Sequence, residues 1–164
     1  MLYRFHIDHQ QQQFDLRVAC HPSESLRHLL TRVLAYVLHH EPGMVFSRGV
    51  CAGKEPPVSS RSAAGEIGTW IAINTPGPRD LQRACKSAAR VIVYTYRNPV
   101  LLLRLAQSIG PDDKLTIYSL SGKILDLLAA AITSRTVHWR IEPADEADCG
   151  VNGLSLSRRR LYPA

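Results

Sequence analysis

The chain has 164 residues, 45% of them apolar and 21% charged, with a formal charge of +6. That balance fits one globular domain spanning 1–164, long enough to bury a core, and excludes wholesale disorder. No apolar run approaches the ~20 residues a membrane span needs, and the first residues lack the basic-then-apolar layout of a signal peptide, so a cytoplasmic location is expected.

Residues 2–7 and 14–20 read as strands joined by a polar, glutamine-rich hairpin loop. A helix opens at His21-Pro22-Ser23-Glu24, with Ser23 as the expected cap and Glu24 favoured by the helix dipole. Leu26, Leu29, Leu30, Val33, Leu34, Val37 and Leu38 form its apolar stripe, and Pro42-Gly43 ends it. Residues 47–66, rich in Ser, Gly, Pro and charge, read as one long connection. Ile67 to Ile73 follows as a strand, with Ile67, Thr69, Ile71 and Ile73 on one face and Gly68, Trp70 and Ala72 on the other.

Leu81, Ala84, Cys85, Ala88 and Ala89 mark a second helix. Val91 to Tyr96 reads as a central strand covered on both faces. Asn98-Pro99 caps and starts a third helix. Lys114 to Leu120 is a strand, and Ser121 caps a fourth helix with Ile124, Leu125, Leu128 and Ile132 inside. Thr136–Ile141 and Gly153–Leu156 read as late strands. The alternation in the middle of the chain implies parallel pairing, and the opening hairpin makes the sheet mixed, so the fold class is α/β.

Chemistry is sparse. The four cysteines make no C-x-x-C pair, so no zinc motif is present; they read as reduced thiols, with Cys85 on an apolar helix face. There is no G-x-S-x-G elbow. His6, Asp8 and His9 read as hairpin polar residues, since only His6 and Asp8 share a strand face. His39-His40-Glu41 reads as a helix end whose histidines meet free carbonyls. Ser121-Gly122-Lys123 lacks the remainder of a phosphate loop. Arg158-Arg159-Arg160 reads as a solvated tail. The charge permits an anionic partner such as nucleic acid.

A series of spaced motifs carries more information. His21-Pro22-Ser23-Glu24 is followed by Val33-Leu34-Ala35-Tyr36, Phe46-Ser47-Arg48-Gly49-Val50-Cys51 and Glu55-Pro56. Then come Gly65-Glu66-Ile67-Gly68-Thr69-Trp70-Ile71 with Pro76, Arg83-Ala84-Cys85, and Val93-Tyr94-Thr95-Tyr96. In order and spacing these resemble the YaeQ family of bacterial proteins. The resemblance implies kinship with the PD-(D/E)XK nuclease superfamily: a restriction-endonuclease-like mixed central β-sheet flanked by helices. In that superfamily, carboxylates on a strand hold Mg²⁺, which activates water and steadies phosphate.

The family strand reads roughly G-x-I-D-L-W-I-E-x-G-x-P. Here the first acidic position is Gly68 and the second is Ala72, so both carboxylates are missing. Four apart in a regular strand, the two positions should share one face, and that face is expected to be bare. No metal or other cofactor is then expected; Mg²⁺ enters only if the acidic site has been relocated. Glu24 matches the helix glutamate of the family, and Glu55 and Glu66 are the other remnant acids. Arg83 stands where the family tends to have lysine. With Arg48 and Arg61 it is a candidate phosphate contact.

Three readings follow. One is a non-catalytic, nuclease-like protein that binds nucleic acid. Another is a metal-dependent nuclease rebuilt on Glu24, Glu55 and Glu66. The third is a protein-interaction domain whose partner the sequence does not name.

Overall fold

The computed structural model describes residues 1–47, 55–110, 113–143 and 148–162. Arg48 and Cys51, singled out above, lie outside the described residues. The elements run β1 (Leu2–His9), β2 (Gln12–Ala19), α1 (Leu26–Leu38), β3 (Met44–Phe46), β4 (Val58–Arg61), β5 (Ile67–Ile73) and α2 (Pro78–Ser87). They continue as β6 (Ala88–Thr95), α3 (Pro99–Ile109), β7 (Leu115–Leu120), α4 (Gly122–Ala130), β8 (Thr136–Pro143), β9 (Asp148–Val151) and β10 (Leu154–Tyr162). None of these helices is long and apolar enough to cross a membrane.

The ten strands form one mixed sheet, in the order β2-β1-β8-β9-β10-β7-β6-β5-β4-β3. β5, β6 and β7 are parallel, as the alternation of strand and helix requires, and β1 pairs in parallel with β8. The sheet curls into a nearly closed barrel around α1. Two aromatic contacts show the curl: Tyr36 of α1 stacks on Phe46 of β3 at 4.5 Å and meets Phe14 of β2 edge-on at 6.4 Å. One helical residue thus touches both terminal strands of the sheet.

This enclosure explains why every residue of α1 from Leu29 to Val37 is buried, where a stripe along one face was expected. A helix covered on one side keeps a polar face in water; a helix inside a curl has no such face. α1, α4 and the concave side of the sheet share the larger core. α2 and α3 pack on the convex side over Trp70, Ala72, Val91, Val93 and Ile117.

Several sequence readings are corrected. The cap of α1 is Ser25, whose hydroxyl accepts from the His28 N–H at 3.3 Å; Ser23 instead bonds the His21 ring. Asn98 caps α3 as expected, through bonds from Val100 and Leu101. Ser121 is the N-cap of α4 but makes no side-chain cap bond. The segment 47–66 contains β4, which pairs with both β3 and β5. Gly43 is held at φ +79 where an added Cβ would lie 2.3 Å from the Arg61 carbonyl oxygen, so only glycine lets this turn close.

β9 and β10 form a hairpin over Asn152-Gly153, both at positive φ, the conformation a tight hairpin turn needs. The arginine triplet is no tail: Arg158, Arg159 and Arg160 pair with Leu120, Ser119 and Tyr118 of β7.

Candidate functional site

The site begins at a fault in strand pairing. Ser59 opposes Trp70 and Arg61 opposes Ile67, so β5 carries one more residue than β4 between these pairs. Such a bulge rotates the side chains that follow it. Ile67, Trp70 and Ala72 consequently face the convex core, while Ile71 and Ile73 face the concave one. Thr69 turns to the Arg90 side chain, which donates to its hydroxyl at 3.0 and 3.2 Å.

The expectation that positions 68 and 72 share a face fails for this reason. A Cβ added at Gly68 would lie 2.8 Å from Ser60 Oγ and 3.7 Å from Glu41 Oε1. Ala72 instead lines a cleft of about 160 Å³ with Glu55, Trp70, Pro76 and Asp80.

The space over Gly68 belongs to a polar network. Ser60 Oγ donates to Glu41 Oε1 and accepts from the Thr69 N–H at 2.8 Å. Arg90 donates to Glu41 Oε2 at 2.9 Å. Burial acts to raise the Glu41 carboxyl, but the Ser60 and Thr69 hydrogen bonds and the Arg90 charge hold it below its ordinary range. Glu41 is therefore an ionised carboxylate whose charge is already matched.

Nearby lies a second buried group. Arg158 reaches inward from β10, donates to the Tyr94 hydroxyl at 3.2 Å and lies 4.6 Å over the Tyr118 ring. The Tyr94 hydroxyl is 2.7 Å from His39 Nε2. Arg158 takes one lone pair of the phenol oxygen, and the Tyr94 hydroxyl and His39 Nε2 share a hydrogen bond whose direction follows the imidazole tautomer. Burial, with Arg158 and Arg90 adding to it, pushes His39 down to about 3, so the ring is neutral at physiological pH. Burial pushes the Tyr94 phenol up. His39 thus meets a tyrosine across the core, where a helix-end role toward free carbonyls was expected.

The three remnant acids keep separate company. The Glu24 side chain is fully buried; its oxygens accept from Arg32 at 2.8 and 2.9 Å, from the His28 ring at 2.7 Å and from the His21 N–H at 3.2 Å. Glu55 lines the cleft beside Ala72. Glu66 is exposed, in the turn whose backbone bonds Ser62. Among the described residues, no group of three or more His, Cys, Asp or Glu side chains is disposed to hold a metal ion.

Of the candidate phosphate contacts, Arg61 is exposed and donates to the Gly65 carbonyl at 3.2 Å, and Arg83 is paired with Asp80 at 3.2 Å. His6 and Asp8 share the convex face with His138 and Arg140 and line a cleft of about 450 Å³, while His9 turns away to the Ile141 carbonyl. Sequence reasoning missed Glu41, Arg90, Tyr94 and Arg158 as a group. The available signal was a tyrosine inside an apolar strand and a polar run at a helix end.

Against this geometry, the family model for YaeQ protein matches residues 5–148, most of the chain. The chain belongs to the YaeQ family. YaeQ of Escherichia coli (strain K12) is 35% identical over 83 residues, 51% of this chain and 46% of that protein. YaeQ of Salmonella typhi is 31% identical over a stretch of the same length. The matched stretch thus spans about half the length of these curated relatives.

In three dimensions the likeness is wider. The crystal structure of YaeQ from Xanthomonas axonopodis pv. citri has a TM-score of 0.89, at 22% identity, over 97% of this chain and 96% of that one. YaeQ from Pseudomonas syringae gives 0.89 at 20% identity, over 99% and 96%. The YaeQ fold is therefore shared over nearly the whole chain.

Proposed function

We propose that this YaeQ-family chain is a nuclease-like scaffold that has lost its metal-binding carboxylates and binds nucleic acid without cleaving it. One observation carries the reading. Gly68 and Ala72, where the resemblance puts the two acidic positions, carry no carboxylate, and the carboxylate nearest Gly68, that of Glu41, is paired with Arg90 and hydrogen-bonded by Ser60. Mg²⁺ needs several hard oxygen ligands with charge to spare; Glu41 and Glu24 have theirs committed to arginines. The formal charge of +6 supplies a general attraction to phosphate.

A second reading, a relocated acidic site, draws on Glu55 and Asp80 lining one cleft beside Ala72. Asp80 is held by Arg83 there, which weakens that reading.

The test is fluorescence anisotropy of labelled DNA and RNA across a salt series, with Mg²⁺ present and strand length followed on gels. Affinity is expected to fall linearly on a log–log plot. Arg61→Ala should reduce the slope by about one if that exposed guanidinium meets a phosphate. Binding that ignores salt would overturn the binding half of the proposal. Mg²⁺-dependent shortening of the strand would overturn the other half.

A further inference from the structure

The free edge of β2 carries a pattern that its own copy would complete. β2 ends the sheet, and β1 is its only strand partner among the described residues. The β1–β2 register runs without interruption from Leu2 against Ala19 to His9 against Gln12. The strand has no proline, no lysine and no bulge, the devices that commonly blunt an edge.

The hydrogen-bond phase decides which groups face outward. Cys20 N donates to Met1 O at 2.7 Å and Met1 N donates to Cys20 O at 2.8 Å, so these two residues form a mutually bonded pair. Antiparallel pairs alternate. The even-numbered residues of β2 therefore bond β1, and Gln13, Asp15, Arg17 and Ala19 turn their N–H and C=O groups to the open edge. The Ala19 carbonyl agrees, being taken by Arg32 at 2.7 Å.

An antiparallel two-fold pairing of two β2 edges must match these outward residues with each other. Centred on Leu16, it sets Asp15 against the partner's Arg17, and Arg17 against the partner's Asp15. Centred on Asp15 or on Arg17, it would set like charges face to face. Arg17 has cause to take such a partner. It stands directly opposite Arg4 in the β1–β2 register and has no ion-pair partner among the described residues. Asp15 is shared between Arg4 at 3.2 Å and His6 at 3.7 Å, yet its side chain stays 54% exposed.

We propose that two copies of this chain associate through antiparallel pairing of their β2 edges about Leu16. An edge guarded against its own kind carries charges that repel in that register. This one carries charges that attract in the register centred on Leu16, which also sets outward-facing backbone groups against each other. The ladder is short, because Arg32 occupies the Ala19 carbonyl at its end, so the dimer should be reversible and salt-sensitive.

Sedimentation equilibrium of the full chain tests this. The native protein should be a dimer that loosens with salt. Arg17→Asp alone and Asp15→Arg alone should each raise the dimer Kd about tenfold or more, since each turns both symmetric pairs repulsive. Mixed, the two variants should pair with each other, because acidic then meets basic at both positions. Arg17→Asp also relieves the contact with Arg4, so it should melt no lower than the native chain, which separates lost association from lost folding. A native chain that stays monomeric at its highest soluble concentration overturns the proposal. So does a dimer that Arg17→Asp leaves unchanged, or a variant mixture that fails to associate.

Discussion

Replacing Arg32 with methionine should lower the free energy of unfolding by about 3–5 kcal/mol in a urea melt, the largest effect expected of a single substitution here. Arg32 holds both oxygens of Glu24 and the Ala19 carbonyl, inside the curl of the sheet, and both side chains of the pair are almost wholly shielded from water. The loss would not measure what the pair contributes. It would measure the cost of a carboxylate left buried with only His28 and one N–H against it. The double variant Glu24→Met/Arg32→Met should therefore recover much of the loss, because it removes both charges together.

The pair also sets an acid limit. Burial would raise the Glu24 carboxyl, but the His28 hydrogen bond and the Arg32 charge outweigh it and hold it below the ordinary glutamate value. A carboxyl depressed in the folded state lends stability above its unfolded value and loses it as pH falls through the folded one. Arg32→Met should flatten that part of the profile.

The second large effect is stability falling with pH at milder acidity. The His39 value is displaced from 6.5 to about 3 in the folded state. A histidine lowered in this way has the opposite behaviour from one that gains an acidic partner. The unfolded chain takes up a proton that the native ring refuses, so stability is complete above the ordinary histidine value and drains as pH falls toward the folded one. The slope can reach about 1.4 kcal/mol per pH unit. Between pH ~6.5 and ~5, above the ordinary carboxylate values, the loss should come to about 1.5–2 kcal/mol. His39→Gln keeps a hydrogen-bond partner for the Tyr94 hydroxyl and removes the titration, so denaturant melts of that variant should be much flatter across this window. An unchanged slope would place the titrating group elsewhere.

The helices were legible because periodicity of 3.6 residues is a local property. Leu26 to Leu38 announces α1 whatever surrounds it. The enclosure of α1 was not legible, since a stripe of seven apolar residues says what one face needs and nothing about whether a curled sheet also closes over the other. β4 was hidden because Val58-Ser59-Ser60-Arg61 has no apolar alternation; both serines are buried, Ser60 where its hydroxyl bonds Glu41 and the Thr69 N–H. The arginine triplet looked solvated because three adjacent charges usually are. In a strand they alternate, and Arg158 lies over Tyr118.

The site was legible in part for a different reason. The spaced motifs of the YaeQ resemblance pointed to Gly68 and Ala72 as the positions to compare, whereas the bulge that parts them depends on pairing with β4, which strand periodicity within β5 does not show. Glu24 was read as an acid near a helix start and as a match to the family's helix glutamate, with no ion-pair partner in view. Its partner lies eight residues on, across the cap, a distance that no periodic rule supplies.

The central claim is that no metal-binding carboxylate set remains, and calorimetric titration of Mn²⁺ into the native chain tests it most directly. The account predicts heats no larger than dilution, from a protein whose melt shows it folded. Saturable one-to-one binding that is lost in Glu55→Ala or Glu66→Ala would contradict it and make those acids the core of a relocated site.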